Sequence, residues 1–258
     1  MKPVESIREC WNSEAAAYEA FNSAPDSYSR AIEWPCIQSL LPELKGKAVL
    51  DLGCGTGIFT FLLEQFAPAE LVGLDLSEGM LEIAREKARK QGSMAQFVQG
   101  DASHASERLG RRFDLVFSST MTHYIADLDG LFADIARCLQ PDGRCILSVI
   151  HPVYSAQYPI GRGDRFPEDD EWTVRYLDRR ERAYIQPWIE YNDECENRLS
   201  RSVHHTFGDY VGAIVGAGLR LCGVHEPMPP EEWKKHCPGR YEGFIETPTY
   251  MILEIGRQ

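Results

Sequence analysis

The sequence predicts an α/β fold in which a doubly wound, mainly parallel sheet of seven strands is covered by helices on both faces. Short apolar runs alternate with helical segments over residues 46–150, and this alternation is typical of parallel sheets. Each run is continuously apolar, as expected for a strand buried on both faces. The first run also turns into a helix through three glycines at alternate positions, within Gly-Lys-Ala-Val-Leu-Asp-Leu-Gly-Cys-Gly-Thr-Gly at 46–57.

The predicted elements follow this alternation along the chain. Strands are expected at 48–51, 71–75, 95–98, 113–117, 144–150, 219–226 and 250–255. Helices are expected at 58–66, 78–90, 128–139 and 207–217. Ser77 suits the N-cap of the second helix, since its hydroxyl can accept a hydrogen bond from a free backbone amide. A turn is expected at 140–143 and a proline-rich loop at 227–248.

Three units are expected from this pattern. Residues 1–45 form an N-terminal helical cap, and 46–150 together with 203–258 form the α/β core. The alternation stops over 151–202, where aromatic, β-prone pieces predict a β-rich insertion after the fifth strand. Doubly wound folds bind ligands at the carboxyl ends of their strands, so an insertion leaving the fifth strand is placed to be a substrate lid.

Composition limits the classes of function. The chain has 258 residues, with 27 Lys and Arg against 39 Asp and Glu, a net charge of −12. This negative field disfavours a nucleic-acid substrate and leaves a small-molecule acceptor as the expected partner. No apolar stretch is long enough for a membrane helix and the N-terminus lacks a signal peptide, so we expect a cytoplasmic protein with no membrane partner. The eight cysteines are scattered without a Cys-x-x-Cys pair, and we expect no metal.

The glycine turn is the strongest functional signal. Gly53, Gly55 and Gly57 let the backbone approach a ligand where a Cβ atom would clash, and Asp51 precedes the turn. An NAD site usually shows Gly-x-Gly-x-x-Gly, whereas the third glycine comes one residue earlier here. The segment resembles the first motif of the class I S-adenosylmethionine (AdoMet)-dependent methyltransferases. That resemblance implies a Rossmann-like fold with AdoMet as methyl donor and S-adenosylhomocysteine (AdoHcy) as product.

Two acids follow where a nucleoside would bind. Asp75 ends the second strand, 22 positions after Gly53, where an acid can accept both ribose hydroxyls. The alternative is a strand-end acid that caps the next helix. Asp101, within Gly100-Asp101-Ala102, follows the third strand and is placed to bind the adenine amino group.

Segments beyond the glycine turn resemble one group of small-molecule methyltransferases, at 118–125, 139–143, 148–154, 204–206 and 226–229. The resemblance implies that the backbone after the fourth strand meets the methionine part of AdoMet. This chain has His205 where that group tends to have Arg, which removes a fixed positive charge and puts the group's substrate preference in doubt. The predicted cofactor-binding residues are Tyr18, Trp34, Asp51, Gly53, Cys54, Gly55, Gly57, Asp75, Leu76, Met80, Gly100, Asp101, Ala102 and Ser118.

Methyl transfer requires alignment of nucleophile, carbon and sulfur, with water excluded. A base with a pKa near neutrality helps when the acceptor must lose a proton, and histidine is the natural candidate. The candidates are His123, His151, His204 and His205, with packing or capping roles as the alternative. The predicted substrate-binding residues are Tyr124, Tyr154, Trp188 and Tyr191.

The leading functional prediction is therefore an AdoMet-dependent N- or O-methyltransferase of a small, planar metabolite or natural-product intermediate. One alternative is a non-catalytic AdoMet-binding scaffold that partners another methyltransferase, which would yield no product in any acceptor screen. Another is an NAD-dependent oxidoreductase, which would bind NAD in place of AdoMet. The acceptor's identity, the choice of N or O and the oligomeric state are left open by the sequence.

Overall fold

The structure is a computed structural model that describes residues 4–158, 173–184, 186, 188, 200–236 and 238–258. The N-terminal helices are α1 (Val4–Asn22) and α2 (Trp34–Leu40), joined by a π-helical turn at Ser29–Glu33. The core then alternates through β1 (Ala48–Leu52), α3 (Ile58–Glu64), β2 (Glu70–Asp75), α4 (Glu78–Gln91), β3 (Gln96–Gln99), α5 (Ala105–Leu109), β4 (Phe113–Ser119), α6 (Leu128–Cys138) and β5 (Leu139–Ile150).

The remaining elements begin with α7 (Pro152–Ala156), followed by the short strands β6 (Gln157–Tyr158), β7 (Thr173–Val174), β8 (Arg182–Tyr184) and β9 (Ser200–Ser202). The chain then forms α8 (Phe207–Gly216), β10 (Leu219–His225), α9 (Trp233–His236), α10 (Pro238–Glu246) and β11 (Tyr250–Arg257). Among the described helices, none combines the length and apolar character needed to cross a membrane.

The main sheet has seven strands in the order β10-β11-β5-β4-β1-β2-β3. Only β11 runs against its neighbours, so the predicted mainly parallel, doubly wound sheet is confirmed. The chain moves outward from β1 in one direction through β2 and β3 and then in the other through β4 and β5. The crevice above β1 and β4 is therefore the switch point at which such folds bind ligands.

Alternate side chains of the strands enter two apolar clusters, one on each face. Leu50 and Val116 join the cluster beneath α6 and α8, whereas Val49 and Leu115 join the one beneath α2 and α3. Burial on both faces explains why these strands are continuously apolar in sequence. Ser77 caps α4 as predicted, with its Oγ accepting a hydrogen bond from the Met80 amide.

Helix α1 lies over the carboxyl edge of the sheet because polar contacts fix it to α4. The Ser77 hydroxyl donates a 2.7 Å hydrogen bond to Asn12 Oδ1, and Lys87 Nζ lies 2.8 Å from Glu19 Oε1. The position of α1 is thus set by the helix that follows the second strand.

The structure differs from the sequence predictions at two places. Residues 227–248, predicted as a loop, contain α9 and α10, whose Trp233 and Phe244 pack with Tyr28 and Tyr250. Prolines and glycines hide the helical periodicity there, and tertiary packing supplies the stability. The predicted turn at 140–143 is an irregularity inside β5, where the register of pairing with β4 shifts.

A buried guanidinium holds the described parts of the insertion together. Arg182 is 1% exposed and donates hydrogen bonds to the backbone carbonyls of Ser155, Arg175, Asp178 and Arg180. His204, from the core, ties the insertion to it, with Nδ1 2.8 Å from Ser155 Oγ and Nε2 2.8 Å from the Tyr176 carbonyl oxygen. We call Arg182 and His204 the insertion clamp.

Candidate functional site

A cavity of ≈ 510 Å³ lies at the carboxyl ends of β1, β2 and β4, within the range of small-molecule sites. Its walls come from α1, the glycine turn, the ends of the strands, the described part of the insertion and α10. Of the predicted site residues, those that line it are Tyr18, Gly53, Gly55, Asp75, Leu76, Met80, Gly100, Asp101, Ala102, His123, Tyr124, Tyr154 and Trp188.

The glycine turn and Asp75 form one end of the cavity. Gly53 and Gly55 have φ angles of +76° and +54°, which favour glycine. A Cβ atom on Gly53 would lie 2.6 Å from Met121 Cγ. Asp75 accepts hydrogen bonds of 2.8 Å from the amides of Gly55 and Ser77, one on each carboxylate oxygen. Burial raises the pKa of Asp75 and these amides oppose the shift.

Asp75 supports the glycine turn and the start of α4, as the capping alternative predicts, and it also lines the cavity. Its role toward a ribose stays a prediction, for which the carboxylate has acceptor capacity left, since it can accept about four hydrogen bonds. A sugar with two neighbouring hydroxyls fits this arrangement.

An apolar slot continues beyond Asp75. Leu76, the buried Met80, Gly100, Asp101 and Ala102 line this part of the cavity. Asp101 Oδ1 accepts a 2.8 Å hydrogen bond from the Ser103 amide, which orients the carboxylate. The slot has apolar faces with a polar edge, as a purine base requires.

The opposite half of the cavity is aromatic. Trp188 packs against Trp11 and Tyr18, with ring centroids 5.7 and 5.1 Å away. Its Nε1 donates a 3.0 Å hydrogen bond to Glu14 Oε2, and Gln186 Nε2 donates a 3.0 Å hydrogen bond to the Tyr124 hydroxyl. The insertion thus contributes Gln186 and Trp188 to a wall shared with α1.

The structure separates the four candidate histidines, and three of them are corrected. His151 caps α7 by accepting from the Val153 amide and lies 2.9 Å from Glu226 Oε1. His204 belongs to the insertion clamp, and His205 Nε2 lies 2.8 Å from the Ile125 carbonyl oxygen. None of these three lines the cavity, and each makes structural contacts through its ring nitrogens elsewhere in the fold.

His123 is the candidate histidine that reaches the cavity. It is buried, and its Nδ1 has no hydrogen-bond partner among the described residues. Burial, and to a smaller extent the nearby His205, lower the pKa of His123 to about 3. Its imidazole is therefore neutral across the physiological range.

Several predicted cofactor residues lie beneath the cavity rather than in its wall. Asp51 accepts a 2.5 Å hydrogen bond from the Thr60 hydroxyl, and Ser118 donates a 2.6 Å hydrogen bond to the Leu52 carbonyl. Cys54 is buried, and a Cβ atom on Gly57 would meet the Phe61 ring at 2.9 Å. These four residues shape the turn from below and do not line the cavity.

Trp34 is a further correction. Its indole packs against Phe59 and Phe66 on the α2–α3 side of the sheet, 5.9 and 6.3 Å away between ring centroids, and does not line the cavity. The Trp34 ring therefore packs against the apolar cluster beneath α2 and α3 instead of facing the cavity. Tyr191 lies outside the described residues.

Sequence reasoning missed part of the wall. Thr120 lines the cavity with a φ of +48°, a conformation rare for a branched residue, and nothing in the sequence signals it. Phe244 and Tyr250 also line the cavity, and their approach depends on tertiary packing. Tyr28, an aromatic residue of the N-terminal segment that could close the pocket, lines the cavity as well and packs against Phe244 of α10.

The described lining carries no Lys or Arg side chain, while Asp75, Asp101 and Asp127 contribute acids. An anionic group buried in the aromatic half would have no cationic partner from these residues, which is costly. Among the described residues, no cluster of three or more His, Cys, Asp or Glu side chains could hold a metal ion.

Comparisons with known proteins agree with this geometry. Residues 49–143 match a family model described as a methyltransferase domain. An uncharacterized protein of Haemophilus influenzae is 28% identical over 240 residues, which cover 92% of this chain and 91% of that protein.

The demethylmenaquinone methyltransferase of Lactococcus lactis is 33% identical over 153 residues, and the match spans 57% of this chain and 60% of that enzyme. The crystal structure of an S-adenosylmethionine-dependent methyltransferase from Mesorhizobium loti aligns with a TM-score of 0.67 and 25% identity, over 87% of this chain and 97% of that chain.

Proposed function

We propose that this chain, which is a class I S-adenosylmethionine-dependent methyltransferase, methylates a nitrogen or oxygen atom of a small, planar acceptor. The observation that carries the proposal is that one continuous cavity contains both the glycine turn with Asp75, which we call the nucleoside-like end, and an aromatic half. Among the described residues, no Lys or Arg lines this cavity. Such a cavity holds a methyl donor and a flat acceptor side by side. The name of the Lactococcus lactis relative also refers to a small molecule.

The residues at the nucleoside-like end fit AdoMet. We assign the ribose hydroxyls to Asp75 and the two faces of the adenine to Leu76 and Met80. The carboxylate of Asp101 and the amide of Ala102 would bind the adenine edge. Gly53 and Gly55 expose backbone where the methionine part would lie, and a Cβ atom on Gly53 would displace Met121.

The aromatic half is assigned to the acceptor. Tyr124, Tyr154 and Trp188 offer flat apolar faces, and such rings prefer other planar groups. No Lys or Arg is among the described residues that line this half of the cavity. The atoms of the acceptor that become buried there should therefore be neutral or positively charged, since a buried anion would have no cationic partner among them. Carboxylates and phosphates are correspondingly disfavoured.

The insertion at 151–202 acts as the substrate lid in this proposal, and residues 1–45 as the N-terminal cap. Gln186 and Trp188 support these roles, because their hydrogen bonds to Tyr124 and Glu14 bring the insertion, α1 and the loop after β4 together over the cavity. Closure there excludes water from the reacting atoms.

AdoMet supplies an electrophilic methyl group when it is bound. The protein contributes alignment of the acceptor, exclusion of water and the hydrogen bonds that hold the acceptor's nucleophilic atom. His123 is neutral and buried, so its free Nδ1 can bind a polar group of the acceptor without adding charge to the cavity.

A screen with AdoMet carrying an isotopically labelled methyl group tests the proposal. We expect product from neutral phenols, hydroxylated heteroaromatics or aromatic amines, and none from the matching carboxylated compounds. Asp75→Ala serves as the donor-site control and abolishes product at low AdoMet concentration. Methylation of carboxylates in preference to neutral rings, or of none of these compounds, would contradict the proposal.

A further inference from the structure

Glu33 is a fully buried carboxylic acid directly behind the cavity wall. It ends the π-helical turn Ser29–Glu33 and is 0% exposed. Its Oε1 accepts a 2.5 Å hydrogen bond from the Ser119 hydroxyl, and its Oε2 has no hydrogen-bond partner among the described residues. Single π-helical turns of this kind occur frequently at functional sites.

Ser119 connects this acid to the cavity. It ends β4, pairs with Ser148 of β5 and lines the cavity beside Thr120. Ser29, from the same π-helical turn as Glu33, also lines the cavity. A group bound there touches the serine hydroxyl first, with the carboxyl behind it at hydrogen-bonding distance.

The groups that face Glu33 do not neutralise it. Tyr18 of α1 and Tyr250 of β11 are the titratable side chains close enough to interact with its charge, and burial raises the pKa of both phenols well above the usual range. Among the residues that the structure describes, no Lys or Arg is among the groups that act on Glu33. Burial raises its pKa to about 7, and the hydrogen bond from the Ser119 hydroxyl partly opposes this shift.

We propose that Ser119 and Glu33 accept the proton that the acceptor loses during methyl transfer. The nucleophilic atom uses its lone pair to form the bond to the methyl carbon, and the carbon–sulfur bond breaks with its electron pair left on sulfur. The acceptor's O–H or N–H proton passes to Ser119 Oγ while the Ser119 hydroxyl proton passes to the Glu33 carboxylate. The products are the methylated acceptor, AdoHcy and protonated Glu33, which later releases its proton to solvent.

This inference rests on the proposed function, since it requires an acceptor that carries a removable proton. It replaces the histidines with a carboxylic acid as the proton acceptor. Ser119 can pass its proton on only while the carboxyl group of Glu33 is ionised. The rate of methyl transfer should therefore fall as the pH falls through the pKa of Glu33.

The test compares the wild type with Glu33→Gln, Ser119→Ala and Asp134→Asn. Asp134 is a matched control, because it is also buried and also accepts a 2.5 Å hydrogen bond from a serine hydroxyl, that of Ser106, but does not line the cavity. Single-turnover rates are measured from pH 5.5 to 9 with a phenol or aromatic amine found in the screen. Calorimetry measures AdoHcy affinity for each protein.

We expect Glu33→Gln to lower the rate at pH 8 by about a hundredfold, the usual contribution of a positioned base, and to remove the acidic fall in rate. Ser119→Ala should lower the rate similarly while leaving Glu33 in place, so it carries the test if Glu33→Gln does not fold. AdoHcy affinity should stay within about twofold, as for residues that act on the acceptor. Asp134→Asn should keep the wild-type profile.

Wild-type rates and an unchanged acidic limb in both Glu33→Gln and Ser119→Ala would overturn the inference. An equal change in Asp134→Asn would also overturn it, since the effect would then reflect the loss of a buried carboxylate in general. If the wild type methylates nothing in the screen, the proposed function itself has failed, which is a separate result.

Discussion

Asp75 Oδ2 accepts a 2.8 Å hydrogen bond from the backbone amide of Gly55. A carboxylate at the end of one strand therefore holds the glycine turn at the end of the neighbouring strand. Its other oxygen accepts from the Ser77 amide at the start of α4. One side chain thus holds together the end of β2, the glycine turn and the start of α4 in the proposed donor site.

Asp75→Ala should weaken AdoHcy binding by about 1.5–3 kcal/mol, because charge-assisted hydrogen bonds to the ligand and to the turn are lost together. Isothermal calorimetry measures the change. Asp114→Ala is a matched control. Asp114, near the start of β4 and away from the cavity, also accepts a hydrogen bond from a backbone amide, that of Ala48 in β1. Equal losses in the two variants would show that the effect is on folding rather than on the ligand.

His123→Asn should lower the transfer rate by about tenfold through lost positioning, which is less than the hundredfold expected of a general base. The pKa of about 3 leaves the imidazole without a proton to gain between pH 5 and 9, so the pH–rate profile should keep its wild-type shape. Stopped-time assays over this range measure both. If the fall in rate at acidic pH disappears in His123→Asn, that fall is caused by protonation of His123 after all.

Trp188→Ala should raise the KM for the acceptor by about tenfold while changing AdoHcy affinity little, because the ring contributes area to the aromatic half. Trp188→Phe is the informative companion, since it keeps a ring and removes the hydrogen bond to Glu14. Initial-rate kinetics and calorimetry separate the two ligands. Equal losses for donor and acceptor would mean that Trp188 supports α1 rather than the acceptor.

The buried carboxyl group of Asp51 should make the free energy of unfolding depend on pH. Burial raises its pKa from 3.8 to about 7, with the Thr60 hydroxyl opposing and the charge of Asp75 adding to the shift. The folded state then binds more protons than the unfolded chain between these values, so this contribution to stability is complete below pH 4 and is lost as the pH rises to about 7.

Asp51→Asn should remove this loss and keep the hydrogen bond from Thr60. Relative to the variant, the wild type should lose up to about 4 kcal/mol of unfolding free energy between pH 4 and 7, at 1.36 kcal/mol per pKa unit. Urea titrations at several pH values measure the difference. Parallel pH profiles of the two proteins would contradict the assignment.

The donor half of the site is largely predictable from sequence because its chemistry is local. Gly53, Gly55, Asp75 and Asp101 sit at fixed distances from strand ends, and parallel pairing brings strand ends together whatever the loops do. The alternation of strands and helices therefore predicts both the seven-stranded sheet and the line of residues along its edge.

The acceptor half depends on contacts that no local pattern encodes. His151 and His205 stand at the expected strand end and loop, yet a helix cap and a carbonyl take up their ring nitrogens. Glu33 resembles an ordinary helical glutamate in sequence. Its burial follows from the π-helical turn and the packing of the N-terminal segment on β4 and β11, which only the assembled fold provides.

Arg182 of the insertion clamp holds the described part of the insertion mainly through backbone atoms. Arg182 donates hydrogen bonds to four backbone carbonyl oxygens, and its guanidinium also lies 4.0 Å from Asp178 Oδ1. Backbone carbonyls are present whatever the side chain, so these four hydrogen bonds do not depend on which residues supply them. The guanidinium also keeps its charge at any physiological pH. Loss of this one side chain would release four backbone contacts at once, so the fold of the described insertion depends on Arg182 more than on the identity of the residues around it.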